Sequence, residues 1–398
     1  MRFVALLCFL ALGLDAQSIS YNWSRKIDLA KEMLRKVKLE HSNKAVTYTQ
    51  KIIIPKPRGK SKALPRRQAS KPKSRTIIRK RTDYAWKEAA LVVMDTDNGN
   101  LEIVKIKKAG KKLQNNNPKF KISLEARPSG LTWNGKNTPF SVANPDSTFA
   151  VVANKWLERL ANGKTKEHIY SPYSARLHEQ ELVEIGNKHI DDDIYWAMSQ
   201  LTRRGIGSPI FPNVNIADVV PRRYLKNIVL TEQTDPQELY AFLAGTLEFD
   251  PFDRVKVIIG ANGEDAYATT TSDAAALGWA QFTKPTWDLM IREFSDAKLP
   301  NFKTGAPDHI YALQATALLY NYNLNKLVDA LGRKILDDPN LKLYMAAAHN
   351  CGINRVISAL QNPGKDWRVA LRKLGKTDET ILFLEKIDYL RQSETSKQ

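Results

Sequence analysis

Val220-Pro221-Arg222-Arg223-Tyr224-Leu225-Lys226-Asn227-Ile228-Val229-Leu230-Thr231-Glu232 reads as one short helix. Pro221 opens it, Leu225, Ile228 and Val229 form its inner side, and Glu232 stands at its end. Asp235-Pro236 opens a second helix that runs to about Leu247, with Glu248 at its close. Residues 254–259 and 266–271 are strand-like and flank Gly260-Ala261-Asn262-Gly263, the expected turn of a small β-hairpin. Helix starts recur at Asp273, Pro285, Pro307, Leu341, Trp367 and Glu379. Residues 218–392 therefore read as a mainly α-helical domain carrying one small hairpin.

Toward the N-terminus the pattern changes. Residues 89–94 are an apolar run, and residues 101–106 alternate apolar and polar. Asp97-Asn98-Gly99 between them predicts a hairpin. Residues 119–124 add a strand, and residues 148–160 and 177–201 read as helices. Residues 84–217 are thus an α+β region of unknown role, and the chain as a whole is expected to be α+β. Residues 51–82 contain no acidic side chain, and Pro55, Pro57, Pro65 and Pro72 interrupt them. Residues 51–83 are therefore expected to form a basic, Pro-rich, disordered linker. Residues 17–50 form an N-terminal helical segment, with an amphipathic stretch over 26–40. Residues 3–14 are an apolar run behind Arg2, with small Ala16 just beyond, although Leu14 is large for the position two before it. Residues 1–16 thus read as a signal peptide, and the mature protein is expected in the periplasm or cell envelope.

Composition narrows the classes. A chain of 398 residues is long enough for two domains, and 43% hydrophobic content is enough for a sizeable core. Net charge is +19, which calls for a polyanionic or anionic-surface partner. The basic stretch lacks interleaved aromatic residues, which with the export signal argues against nucleic acid. Two cysteines exclude a disulfide-stapled scaffold and a four-cysteine zinc site. No run of 18 apolar residues is present, so no transmembrane span is expected.

Four segments in the last part of the chain resemble the lysozyme-like lytic transglycosylases, in the superfamily of soluble lytic transglycosylases and goose-type lysozymes. The first is the helix quoted above, ending in Glu232. The second is Ser272-Asp273-Ala274-Ala275-Ala276-Leu277-Gly278-Trp279-Ala280-Gln281-Phe282, followed by Pro285-Thr286-Trp287. It is similar to the family's Ser-x-x-Gly-Ala-x-Gly-Leu-Met-Gln block. The third, Ala348-His349-Asn350-Cys351-Gly352, is similar to Ala-Tyr-Asn-Ala-Gly. The fourth, Glu379-Thr380-Ile381-Leu382-Phe383-Leu384-Glu385-Lys386-Ile387, resembles the closing Glu-Thr-x-x-Tyr-Val-x-Lys-Ile helix. Trp279-Ala280 stands where the family has Leu-Met, His349 and Phe383 where it has tyrosine, and Gln233 where it has serine.

The resemblance implies a peptidoglycan lytic transglycosylase that cuts the MurNAc-β-1,4-GlcNAc bond and leaves 1,6-anhydroMurNAc ends. Its substrate would be the glycan strands of peptidoglycan, with other envelope proteins as further partners. One glutamate suffices for this chemistry, because the sugar's own C6 hydroxyl replaces the second group that most glycosidases need. The acid should lie in a partly apolar pocket that raises its pKa. Glu232 fits best. Glu248 is the rival, since it also ends an apolar helix and precedes Phe249-Asp250-Pro251, and Glu264 in the Gly-rich turn comes third. The same resemblance assigns substrate contacts to Gly278, Trp279, Gln281, Trp287, His349, Asn350, Glu379 and Thr380. Tryptophans at helical spacing are more often core, and Asn350 also reads as a plain helix cap. Two further readings stay open: a hydrolytic muramidase on the same fold, and a non-catalytic peptidoglycan-binding or secretion-apparatus scaffold.

No metal site or cofactor is expected. His349 and Cys351 lie two apart and point different ways on a helix. His41, His168, His178, His189 and His309 are scattered, and Asp191-Asp192-Asp193 reads as the polar start of a helix. No phosphate loop, dinucleotide fingerprint or Ser-His-Asp signature is present.

Overall fold

A computed structural model of the chain describes residues 22–55, 74–109, 112–115, 117–124, 138, 140–144, 147–272, 274–362, 364, 366–375 and 378–395. The expected signal peptide and the middle of the expected linker lie outside these residues. The fold is α+β, with an antiparallel sheet region first and a mainly helical part after it.

Helix α1, Trp23–Arg35, lies on the sheet. Asn22 caps it by accepting from the Arg25 N–H, and the Glu181 carboxylate accepts from the N–H groups of Trp23 and Ser24 at 2.9 and 3.2 Å. A carboxylate there meets the positive end of the helix. Strands β1, Ala45–Pro55, and β2, Ser74–Tyr84, pair antiparallel over their whole length. This corrects the expected disordered linker at both ends: the β-branched Ile52, Ile53 and Ile54 pair with Ile77, Thr76 and Arg75, and Pro55 closes the ladder at its margin.

The main sheet has seven antiparallel strands. These are β3 Lys87–Asp95, β4 Leu101–Ala109, β5 Lys112–Asn115, β6 Lys121–Leu124, β7 Phe140–Asn144, β8 Ser147–Arg159 and β9 Thr165–Tyr170. The order is β5-β4-β3-β8-β7-β6, with β9 also on β8. The expected β3–β4 hairpin is present, and Gly99 supplies the positive φ of 74° at its turn.

Residues 148–160 were expected as a helix and are instead strand β8. The reason is burial on both faces. Ala150 and Val152 pack with α1, while Val151 and Trp156 pack with Phe120 and Phe140 beyond the other face. A strand covered on both sides shows a continuous apolar run, and periodicity then separates strand from helix poorly.

Helix α2, Gln180–Arg203, begins the helical part. It is followed by α3 Ile216–Val219, α4 Arg222–Gln233, α5 Pro236–Leu243, α6 Pro251–Asn262, α7 Lys284–Glu293, α8 Phe302–Gly305, α9 His309–Leu331, α10 Leu341–Cys351, α11 Ile353–Leu360, α12 Trp367–Lys373 and α13 Asp378–Thr395. One buried cluster runs from Tyr170 and α2 through to Leu390.

The expected hairpin over 254–271 is absent, because α6 occupies its first arm. Asp250 caps α6 by accepting from the Phe252 N–H, and Pro251 takes the first turn. Val255, Ile258 and Ile259 face the helical core while Val257 and Ala261 face the sheet cluster. A helix buried on two sides carries β-branched residues that mimic a strand. The expected helix from Asp273 is also absent: residues 274–282 form turns, with positive φ at Ala275, Gly278 and Gln281.

Candidate active site

Four parts of the helical body converge on one cleft of about 1190 Å³. Helix α4 brings Glu232, the turns at 274–282 bring Gln281, α10 brings His349 and Asn350, and α13 brings Glu379, Phe383 and Lys386.

Glu232 stands in the last turn of α4, its side chain 15% exposed. Its Oε1 lies 3.3 Å from Nε2 of His349. The same nitrogen is 3.2 Å from the Ala280 carbonyl oxygen, which only accepts, so His349 carries its proton on Nε2. The imidazole sits between Phe383, stacked at 6.2 Å between centroids, and Phe282, edge-on at 5.9 Å. His349 is thus a direct partner of the glutamate.

Lys386 is buried beside them. Its Nζ donates to the carbonyl oxygens of Thr231 at 2.5 Å and Thr234 at 2.9 Å, at the end of α4. Burial lowers its pKa, and the negative charges of Glu232, Asp235 and Glu379 offset part of that fall. Gln233, one residue past Glu232, donates to the carbonyl oxygens of Gly278 at 3.1 Å and Trp279 at 2.8 Å. It ties α4 to the turn segment that carries Gln281.

Gln281 and Asn350 line the cleft, and Thr380 donates to Asn350 Oδ1 at 2.7 Å. Thr380 itself is buried, and Glu379 is exposed at the cleft margin. The remaining expected residues lie elsewhere. Gly278 packs against backbone: a Cβ there would meet the Ala306 oxygen at 1.9 Å, and its φ is 77°. Trp279 is fully buried, donates to the Ala266 carbonyl oxygen and stacks on His309. Trp287 is fully buried, donates to the Pro300 carbonyl oxygen and meets Phe282 edge-on. Both tryptophans are core groups under the cleft and not sugar platforms. Glu248 is exposed between α5 and α6, outside the cleft lining.

Lys386 and Gln233 carry no role in the sequence reading. The sequence signals for Lys386 are its place in the closing Lys-Ile of the fourth segment and a charge inside an apolar helix. Cys351 also lines the cleft, and burial raises its thiol pKa. Comparison with protein-family models, with curated proteins and with solved structures finds no match to this chain.

Proposed function

We propose that the chain is a peptidoglycan lytic transglycosylase, acting in the cell envelope with Glu232 as its single acid and base. The observation that supports this best is the pairing of Glu232 with His349 inside an open cleft whose walls offer the amides of Gln281 and Asn350. His349 holds Oε1, so the proton for delivery is carried on Oε2. That proton passes to the glycosidic oxygen as the bond from C1 breaks. The carboxylate then takes the proton of the C6 hydroxyl, whose oxygen bonds to C1 and closes the 1,6-anhydro ring. Glu232 ends the cycle protonated again, and no water is consumed. The substrate supplies the nucleophile, so the reaction needs no cofactor.

Digestion of purified sacculi followed by mass analysis of the released muropeptides tests this. The expected products carry 1,6-anhydro ends. Reducing muramic acid ends would assign the muramidase reaction, and no release would leave the scaffold reading.

A further inference from the structure

Three side chains that the sequence scatters meet away from the cleft. His189 and Asp193 lie one turn apart on α2, and His309 is the first residue of α9. One ligand atom from each lies within 4.8 Å of the other two, and His189 Nε2 and His309 Nδ1 are each 3.3 Å from Asp193 Oδ2. The 191–193 run is in mid-helix, not at a helix start. Asp191 pairs with Lys226 and Asp192 with Lys188 on the outside, which leaves Asp193 turned inward.

One ring nitrogen there is left without a hydrogen bond. His309 is almost fully buried, and its Nε2 is 2.8 Å from the Ala266 carbonyl oxygen, an acceptor only. Nε2 therefore carries a hydrogen, which leaves Nδ1 as the ring nitrogen that faces Asp193 Oδ2, at 3.3 Å. His189 Nε2 also lies 3.3 Å from Oδ2, is buried, and makes no hydrogen bond. Three side chains of metal-ligating type thus converge.

We infer that His189, Asp193 and His309 form a site for a divalent transition-metal ion of the zinc type. Two imidazoles and one carboxylate suit such an ion and not calcium or magnesium, which take oxygen ligands. Tetrahedral zinc bonds of about 2.0–2.1 Å place neighbouring donor atoms roughly 3.3 Å apart. Two of the three edges already have that length. The ion would fasten α2 to the start of α9 beneath Trp279, whose ring lies 3.5 Å from His309. This is a structural staple, independent of the reaction proposed for the cleft.

The full chain, stripped with a chelator, is titrated with Zn(II) by calorimetry and with Co(II) by visible absorption. One equivalent of each is expected. Zn(II) at about a hundred times its Kd should raise Tm by about 3 °C or more. His189→Gln and Asp193→Asn should each weaken binding by at least about tenfold while keeping the wild-type circular dichroism. In the wild-type protein, where no variant has to fold, Co(II) should broaden the ring-proton signals of Trp279 before those of the other tryptophans. Absence of binding, binding that survives both substitutions, or broadening that begins at another tryptophan would each overturn the site.

Discussion

A Cβ on Gly186 would stand 1.9 Å from the carbonyl oxygen of Lys256. The contact is reciprocal, since a Cβ on Gly260 would meet the Leu182 oxygen at 2.2 Å. Helices α2 and α6 therefore touch backbone to backbone where the sheet cluster and the helical core meet. Gly186→Ala must push them apart, and overpacking of this kind costs about 1–3 kcal/mol. Thermal melting should show a clear fall in Tm for Gly186→Ala. Gly207→Ala, with nothing within 4 Å of the added carbon, is the control and should melt like the parent. Equal melting of both would mean that the helices cross less closely.

Glu232→Gln keeps the size and the contact with His349 but delivers no proton. General acid catalysis is worth about 10²–10⁴-fold, so muropeptide release should fall by at least that range with melting little changed. Glu248→Gln, altered at an exposed position outside the cleft, should keep its activity. A dead Glu248 variant beside a normal Glu232 variant would reassign the acid. Normal activity in both would sink the single-acid mechanism.

Glu238 and Arg254 form a buried ion pair between α5 and α6. Removing one partner takes the counter-charge away from the other, buried charge, which costs about 3–5 kcal/mol. Glu238→Ala should therefore lower the urea midpoint strongly. The double variant Glu238→Met, Arg254→Leu should recover most of the loss, because no bare charge remains. A double variant no better than the single one would show that the pair contributes through packing instead.

Legibility in the sequence followed the physics of each segment. The β3–β4 hairpin was readable because one strand alternates and Asp97-Asn98-Gly99 marks the turn. Helices α4, α7, α9 and α13 were readable from proline, aspartate and amphipathic signals near their starts. Strand β8 and helix α6 were not, because both are buried on two sides and lose the periodicity that distinguishes them. At the site, Glu232, Gln281, His349 and Asn350 reach one cleft, whereas Trp279 and Trp287 serve the core. Trp279 lies on a turn, where an aromatic side chain carries no sign of which way it faces, and Trp287 lies in α7, where helical spacing already favours the core. The meeting of His189 with His309 depends on how α2 crosses α9, which no local pattern encodes.

Lys386 offers a test of the site's electrostatics through pH. Burial sets its pKa below the ordinary lysine value of 10.5 in the folded chain. Between the folded value and 10.5 the unfolded chain binds more protons at this position than the folded chain does, so stability rises with pH there. Below the folded value both states are protonated, the slope is zero and the full burial penalty remains. Lys386→Met keeps the length and removes the titration. It also deprives the Thr231 and Thr234 carbonyls of their donor, a loss that does not vary with pH. The buried tyrosines Tyr170 and Tyr224 have raised pKa values and make stability fall at high pH, but they are common to both proteins and cancel in the difference. Stability of wild type minus Lys386→Met, from urea unfolding at pH 8, 9 and 10, should therefore increase with pH. The slope cannot exceed about 1.4 kcal/mol per pH unit for one proton. A difference that is flat or falls over that range would mean that the anionic groups around Lys386 outweigh its burial.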